Sequence, residues 1–154
     1  MSIQNKAKGW LQGLLILLIF TAASSAQAAV WQTKNQWTVG WENKYQAWVA
    51  ENITTDFFMN PNKPVYYKMA HDCADSIYFM RLAFAYENKL PFAINNIMQK
   101  GKLLSNSMRN WDRETPINRV RKFMQYVADR VGTRSLHLDT YPVALADIKA
   151  GDLY

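Results

Sequence analysis

The stretch Asp72–Tyr86, DCADSIYFMRLAFAY, constrains this chain more than any other. From Ile77 to Tyr86 every residue but Arg81 is apolar or aromatic, and a helix that is apolar nearly all round must be enclosed by the rest of the protein. Asp72 reads as the N-cap of that helix, because its carboxylate can accept from the N–H groups of the first turn. Asp75 adds a second carboxylate where the helix dipole favours negative charge. Asn88-Lys89 and Leu90-Pro91 end it, since the residue before a proline is pushed away from the helical region. The expectation is a central helix around which the remaining elements are laid.

Those elements can be read in part. Trp41, Tyr45, Trp48, Val49 and Ile53 recur at three- and four-residue spacing, which predicts a helix over Trp41–Ile53 with one apolar face. Trp31 to Gly40 has no clean period, and its Trp31 and Trp37 suggest an N-terminal arm laid over the core. Asn60-Pro61-Asn62-Lys63-Pro64 is a loop, followed by a short lead, Val65–Met69, up to the central helix. Thr115-Pro116 opens another helix by the N-cap and first-turn proline rule. Ile117, Val120, Phe123, Met124, Val127 and Val131 mark its apolar face, and Gly132 closes it. Arg119, Arg121, Lys122 and Arg130 fall mostly on the other side, as a solvated face or an anion site. Tyr141-Pro142-Val143 reads as a short extended piece, and Ile148 to Tyr154 as a turn at Ala150-Gly151-Asp152 opening into a strand.

The N-terminus is organised differently. Lys6 and Lys8 precede an almost unbroken apolar run, Leu11 to Ala23, and Ala26-Gln27-Ala28 is an A-x-A cleavage site ahead of Ala29, the pattern of a secretory signal peptide. The run is shorter than the roughly 20 residues of a bilayer span, and a lipoprotein would need a cysteine at the cleavage site. The expected location is therefore the periplasm or the exterior, with contact to a membrane only through an uncleaved signal peptide. Residues 29–154 suffice for one domain and one core. Two of the 18 Lys and Arg and none of the 12 Asp and Glu fall in the leader, which leaves the mature chain at about +4. An exported, moderately basic protein suits peptidoglycan or another anionic envelope polymer as partner, and not nucleic acid.

Cys73 is the only cysteine, so no internal disulfide supports the domain, and stability must come from packing. A lone thiol in an oxidising compartment serves intermolecular pairing or chemistry, or else lies buried and inert. The first turn of a helix favours chemistry, because unpaired N–H groups and the macrodipole there stabilise thiolate over thiol. Asp72 and Asp75 oppose this, so the thiolate needs a histidine partner. One cysteine and the two distant histidines, His71 and His137, do not make a metal-ligand set, and no cofactor motif is present.

The Asp72-Cys73-Ala74-Asp75 helix start, followed downstream by Asp147-Ile148-Lys149-Ala150-Gly151-Asp152-Leu153-Tyr154, resembles the papain-like cell-wall cysteine peptidases of the NlpC type. In that family an Asp-Cys-Ser/Ala stretch opens the central helix and a Leu-x-Pro-Gly-Asp-Leu turn starts the first long strand. Here Ala150 replaces the usual proline. The resemblance runs from about Ala70 to Tyr154 and leaves Trp31 to Met69 unaccounted for. It implies a papain-like α+β fold, with Cys73 as nucleophile at the N-terminus of a central helix packed on an antiparallel sheet, and a thioester hydrolysed by water. The family's general-base histidine lies on the strand after the Gly-Asp turn. His71, two residues before Cys73, should point away from it, and His137 lies upstream of that turn, so the expectation is a domain truncated at its C-terminus, lacking the base and much of the sheet.

Two other readings stay open. A transglutaminase-like protein would use the same thioester for transfer to an amine. A non-catalytic envelope protein would pack Cys73 inside and use the Trp-rich N-terminal segment to bind glycan or protein. Asn52-Ile53-Thr54 also matches the glycosylation pattern, a frequent chance occurrence.

Overall fold

Helix α2, Cys73–Glu87, is the element on which the others rest. Asp72 Oδ1 accepts from Asp75 N–H at 2.9 Å while Asp75 Oδ2 accepts from Asp72 N–H at 3.0 Å, a reciprocal capping box that satisfies two donors at the helix start. At the other end Leu90 N–H reaches back to Ala85 O at 2.8 Å and Lys89 N–H to Tyr86 O at 3.3 Å. Lys89 takes the left-handed conformation, φ 53°, that closes such an end. Between the caps Phe79, Leu82, Ala83 and Ala85 are sealed from solvent. Each large apolar side chain so buried stabilises the fold by about 1.5–3 kcal/mol.

The computed structural model describes residues 29–152. The signal peptide assigned to residues 1–28, its cleavage, and the strand expected from Leu153 lie outside the described residues. Within them the architecture is α+β: helices α1 (Val39–Asn52), α2, α3 (Pro116–Ala128) and the short α4 (Leu136–Asp139), with one antiparallel hairpin of β1 (Ala93–Asn95) and β2 (Leu103–Ser105).

The N-terminal arm does lie over the core. Trp31 is 4% exposed, its indole N–H donates to Leu90 O at 2.9 Å, and its ring meets Tyr86, Phe92 and Phe123. Trp37 donates to Pro91 O at 2.7 Å. Helix α1 starts with Thr38 Oγ1 accepting from Trp41 N–H, and it meets α2 through Phe84. The rings of Trp37, Trp41, Tyr45 and Trp48 surround Phe84 with centroids 5.4–6.1 Å away.

The hairpin was not foreseen. Ile94 pairs with Leu104, and both side chains enter the core, while the flanking Ala93 and Leu103 face outward. The buried Asn106 sews it to the arm, accepting from Phe92 N–H at 2.9 Å and donating to Trp31 O and Thr33 Oγ1, each at 3.1 Å. Helix α3 buries Val120, Phe123, Met124 and Val127, but stops at Ala128, before the expected Gly132. Ile117 is left largely exposed. Gly132 instead introduces a single 3₁₀ turn, Thr133–Ser135, and then α4, in a region where the sequence showed no helix. Tyr141-Pro142-Val143 pairs with no strand.

The basic side of α3 is not a free anion surface. Arg119 donates to Ala29 O and Glu114 O, and Lys122 pairs with Glu114. Arg130 lies over the Tyr126 ring, and Arg121 is bonded to the loop ahead of α2. Each of these charges has a partner within the chain.

Candidate active site

Cys73 is the first residue of α2 and is exposed, so the packed, inert thiol is not what this fold contains. Asp72 occupies the N-cap position expected of it. Among the described residues no hydrogen bond engages the Cys73 thiol. A thiol in the first turn of a capped helix, reachable from solvent, has the placement a nucleophile needs.

A cleft of about 550 Å³ opens beside the same helix. Ile77, Tyr78 and Arg81 form its α2 wall, Tyr45 and Glu42 its α1 wall, and Asp139 with residues 150–152 close the far side. At about 100° and 1.5 Å per residue, Ile77 and Arg81 lie about 40° and 80° around the helix from Cys73, and about 6 and 12 Å along it. The thiol therefore leads onto the face that walls the cleft. The Gly-Asp turn reaches this place too: Asp152 N–H bonds to Lys149 O at 3.1 Å, and Asp152 Oδ2 accepts from Lys149 N–H at 2.8 Å. Gly151, at φ 92°, presses against Tyr45, where an added Cβ would meet the ring at 2.9 Å. The Gly-Asp turn thus lines the cleft itself, whereas Asp72 to Asp75 do not line it and precede its first α2 residue, Ile77, by two to five positions.

The polar groups of the cleft are tied to each other. Arg81 makes a two-pronged pair with Glu42, at 2.6 and 2.7 Å, and stacks 3.5 Å from the centre of the Trp37 ring. The Tyr78 hydroxyl is within 3.0 Å of Ser135 Oγ and donates to Asp139 Oδ2 at 3.0 Å. Asp139 Oδ1 accepts from both the backbone and the side-chain N–H of Asn95, at 2.9 and 2.8 Å. Burial pushes the Tyr78 hydroxyl up to about 12, with Asp139 adding to the shift and the Ser135 bond opposing it. Burial likewise pushes Tyr45 up to about 12, against the pull of Arg81. Both phenols stay protonated at neutral pH, and that of Tyr78 donates to Asp139. Asp75 is raised from the usual carboxylate range, first by burial, with the Asp72 N–H bond working the other way.

Neither histidine is engaged with the thiol. His71 donates from Nδ1 to Met69 O at 2.7 Å, and its ring lies 4.2 Å from Phe58 and 6.3 Å from Phe79. Phe79 is about 120° around α2 from Cys73 by the shorter way, and His71 packs towards it and Phe58, not towards the thiol. His137 lies in α4 by a depression with Leu145 and Ile148 that adjoins the cleft and shares residues 140–143 with it, but His137 does not line the cleft itself. Of the cleft residues, Arg81 stood out in the sequence as the lone charge of an apolar run. Tyr78, Asn95 and Asp139 carried no local signal, because their partners are 44 to 61 residues away.

Among the described residues no group of three or more His, Cys, Asp and Glu could hold a metal ion, and no helix is long and apolar enough to cross a membrane. No family model, curated protein or solved structure matches this chain.

Proposed function

We propose that Cys73 is the nucleophile of an exported papain-like cysteine hydrolase that acts on amide bonds, with peptidoglycan peptides as the substrate class. The observation that carries this reading is the exposed Cys73 at the start of a capped, buried helix whose adjoining face forms, with the Gly-Asp turn, the wall of one cleft. In this reading the thiolate attacks the amide carbonyl and the amine departs with a proton. Water then hydrolyses the thioester. The cleft along Ile77 and Arg81 holds the part of the substrate next to the scissile bond. The reaction needs a proton carrier, and neither His71, which is turned to Phe58, nor His137, in the depression next to the cleft, is hydrogen-bonded to the thiol.

A transglutaminase-like enzyme differs in the acceptor alone and shares every residue of this account. The non-catalytic alternative gains no support: its glycan-binding tryptophans are turned inward, with Trp31 buried and Trp37, Trp41 and Trp48 packed on the core. The test has two arms. Cys73 should be alkylated stoichiometrically by iodoacetamide in the folded protein, and the gene product should release amines from peptidoglycan stem peptides in a reaction that Cys73→Ala abolishes. Protection of the thiol until denaturation, or hydrolysis that survives Cys73→Ala, would overturn the proposal.

A further inference from the structure

We infer that Arg121 is a positioning residue for Cys73, acting through the loop that delivers the chain to α2; the inference rests on the nucleophile reading above. From the middle of α3, Arg121 Nη1 donates to three carbonyls of that loop: Pro64 O and Val65 O at 3.0 Å and Tyr67 O at 2.9 Å. One nitrogen with two hydrogens serves three acceptors, so at least one hydrogen is shared. A guanidinium can hold such a cluster because its charge strengthens every bond it makes to a carbonyl.

The residue after the last of these carbonyls is Lys68, at φ 54°. Left-handed backbone is uncommon for a residue with a side chain and persists only where the surroundings enforce it. Here they do. Lys68 N–H bonds to Phe58 O at 2.8 Å, the buried Tyr66 sends its hydroxyl to Glu87 Oε1 at 3.1 Å, and Arg121 holds the carbonyls on either side of Tyr66. Beyond this bend only Met69 to Asp72 precede the nucleophile. The buried Met69 gives its carbonyl to His71, and then the capping box begins. From Ala74 and Asp75 onward α2 is held by the core, but Asp72 and Cys73 are exposed, so the entry to the helix takes its direction from the bend. Releasing Arg121 lets Lys68 relax toward ordinary dihedrals, which moves Met69 and loosens the turn that presents the thiol.

The experiment measures amide hydrogen exchange and steady-state kinetics of the gene product carrying Arg121→Ala, Arg121→Lys, Lys68→Gly, or Arg121→Ala with Lys68→Gly. The amides to follow are Asp75, bonded to Asp72 Oδ1, and Ser76, bonded to Asp72 O. Arg121→Ala should speed their exchange about tenfold more than that of Leu82 to Ala85, and lower kcat by about tenfold with KM little changed. Arg121→Lys, which keeps the charge but not the fork, should fall between, and supplies the comparison if Arg121→Ala does not fold. Lys68→Gly, at ease in the left-handed region, should recover much of the protection in the Arg121→Ala background. Exchange that rises equally along α2, or a loss confined to KM, overturns the positioning role while leaving Cys73 as nucleophile. Hydrolysis that survives Cys73→Ala instead removes the nucleophile, and the positioning role with it.

Discussion

Replacing Trp31 tests whether the N-terminal arm is part of the core or decoration on it. The side chain is 4% exposed and touches the rings of Tyr86, Phe92 and Phe123, so Trp31→Ala removes nearly a whole tryptophan from a closed site. Burying a large aromatic takes about 150–250 Å² out of water. At about 25 cal/mol per Å² this corresponds to about 4–6 kcal/mol, and truncations of this size cost about 3–5 kcal/mol once the site relaxes. Trp31→Phe separates the hydrogen bond from the area. It keeps most of the ring but withdraws the indole N–H from Leu90 O, at a cost of about 1–3 kcal/mol for a buried acceptor left without that donor. Urea unfolding followed by far-ultraviolet circular dichroism reads both, and with a slope of about 2 kcal/mol per molar the Phe variant should lose about 0.5–1.5 M in midpoint. The Ala variant should lose about twice that or more, a large share of the 5–15 kcal/mol that a domain of this size has in total. A loss below about 1 kcal/mol for Trp31→Ala would show that the arm does not complete the core.

Four further outcomes are expected. N-terminal sequencing of the protein from an expressing bacterium should begin at Ala29 within a residue or two, and a form retaining Met1 in the membrane would remove the envelope assignment. Asp75 is raised by burial, so the folded state prefers it neutral. Its contribution to stability is full below the ordinary carboxylate range and is lost as pH rises through the raised value. Asp75→Asn keeps an oxygen for Asp72 N–H, and should flatten the decline in unfolding free energy as pH rises above the ordinary carboxylate range; parallel curves for the two proteins would contradict this. Tyr78→Phe should cost about 1–3 kcal/mol in urea unfolding, because Asp139 and Ser135 lose a buried partner, and a change under about 0.5 kcal/mol would show that the network is not coupled to folding. His137→Ala should keep amide hydrolysis within about tenfold of wild type, since loss of a general base typically costs about 10²–10⁴-fold; a greater loss would make His137 the base.

What could be read from the sequence is what is written locally. The limits of α2 follow from Asp72, Asp75, Asn88 and Pro91, all within a few residues of the ends they set. The start of α3 follows from Thr115 and Pro116, and the apolar spacing of α1 is complete within fourteen residues. The hairpin escaped because three-residue strands are too short to establish a period. Its bend is made by Asn96 Oδ1 accepting from Met98 N–H and by Gly101 at φ 78°, and it is held by Asn106, whose partners lie on the arm more than 70 residues earlier. Gly132 misled because a glycine four residues past a helix can open the next turn as readily as end the last one.

The candidate site divides along the same line. Cys73 could be singled out because the forces that favour a thiolate, a helix start and its free N–H groups, belong to the same dozen residues as the thiol itself. Ile77 and Arg81 lie one and two turns further along the same helix, but nothing in the sequence marked them as the wall of a cleft. The opposite wall could not follow, because Asp139 reaches the cleft only by way of Asn95 and Tyr78, and Gly151 only by fitting against Tyr45, a neighbour 106 positions earlier. The Gly-Asp turn was legible as a turn, while its contact with α1 was not. That contact closes the cleft whose α2 wall starts at Ile77, one turn along the helix from the exposed thiol. Changes at Gly151 should therefore disturb the cleft from its α1 side: any side chain there must displace Tyr45, which packs on Trp48 of α1 and Phe84 of α2 where the two helices meet.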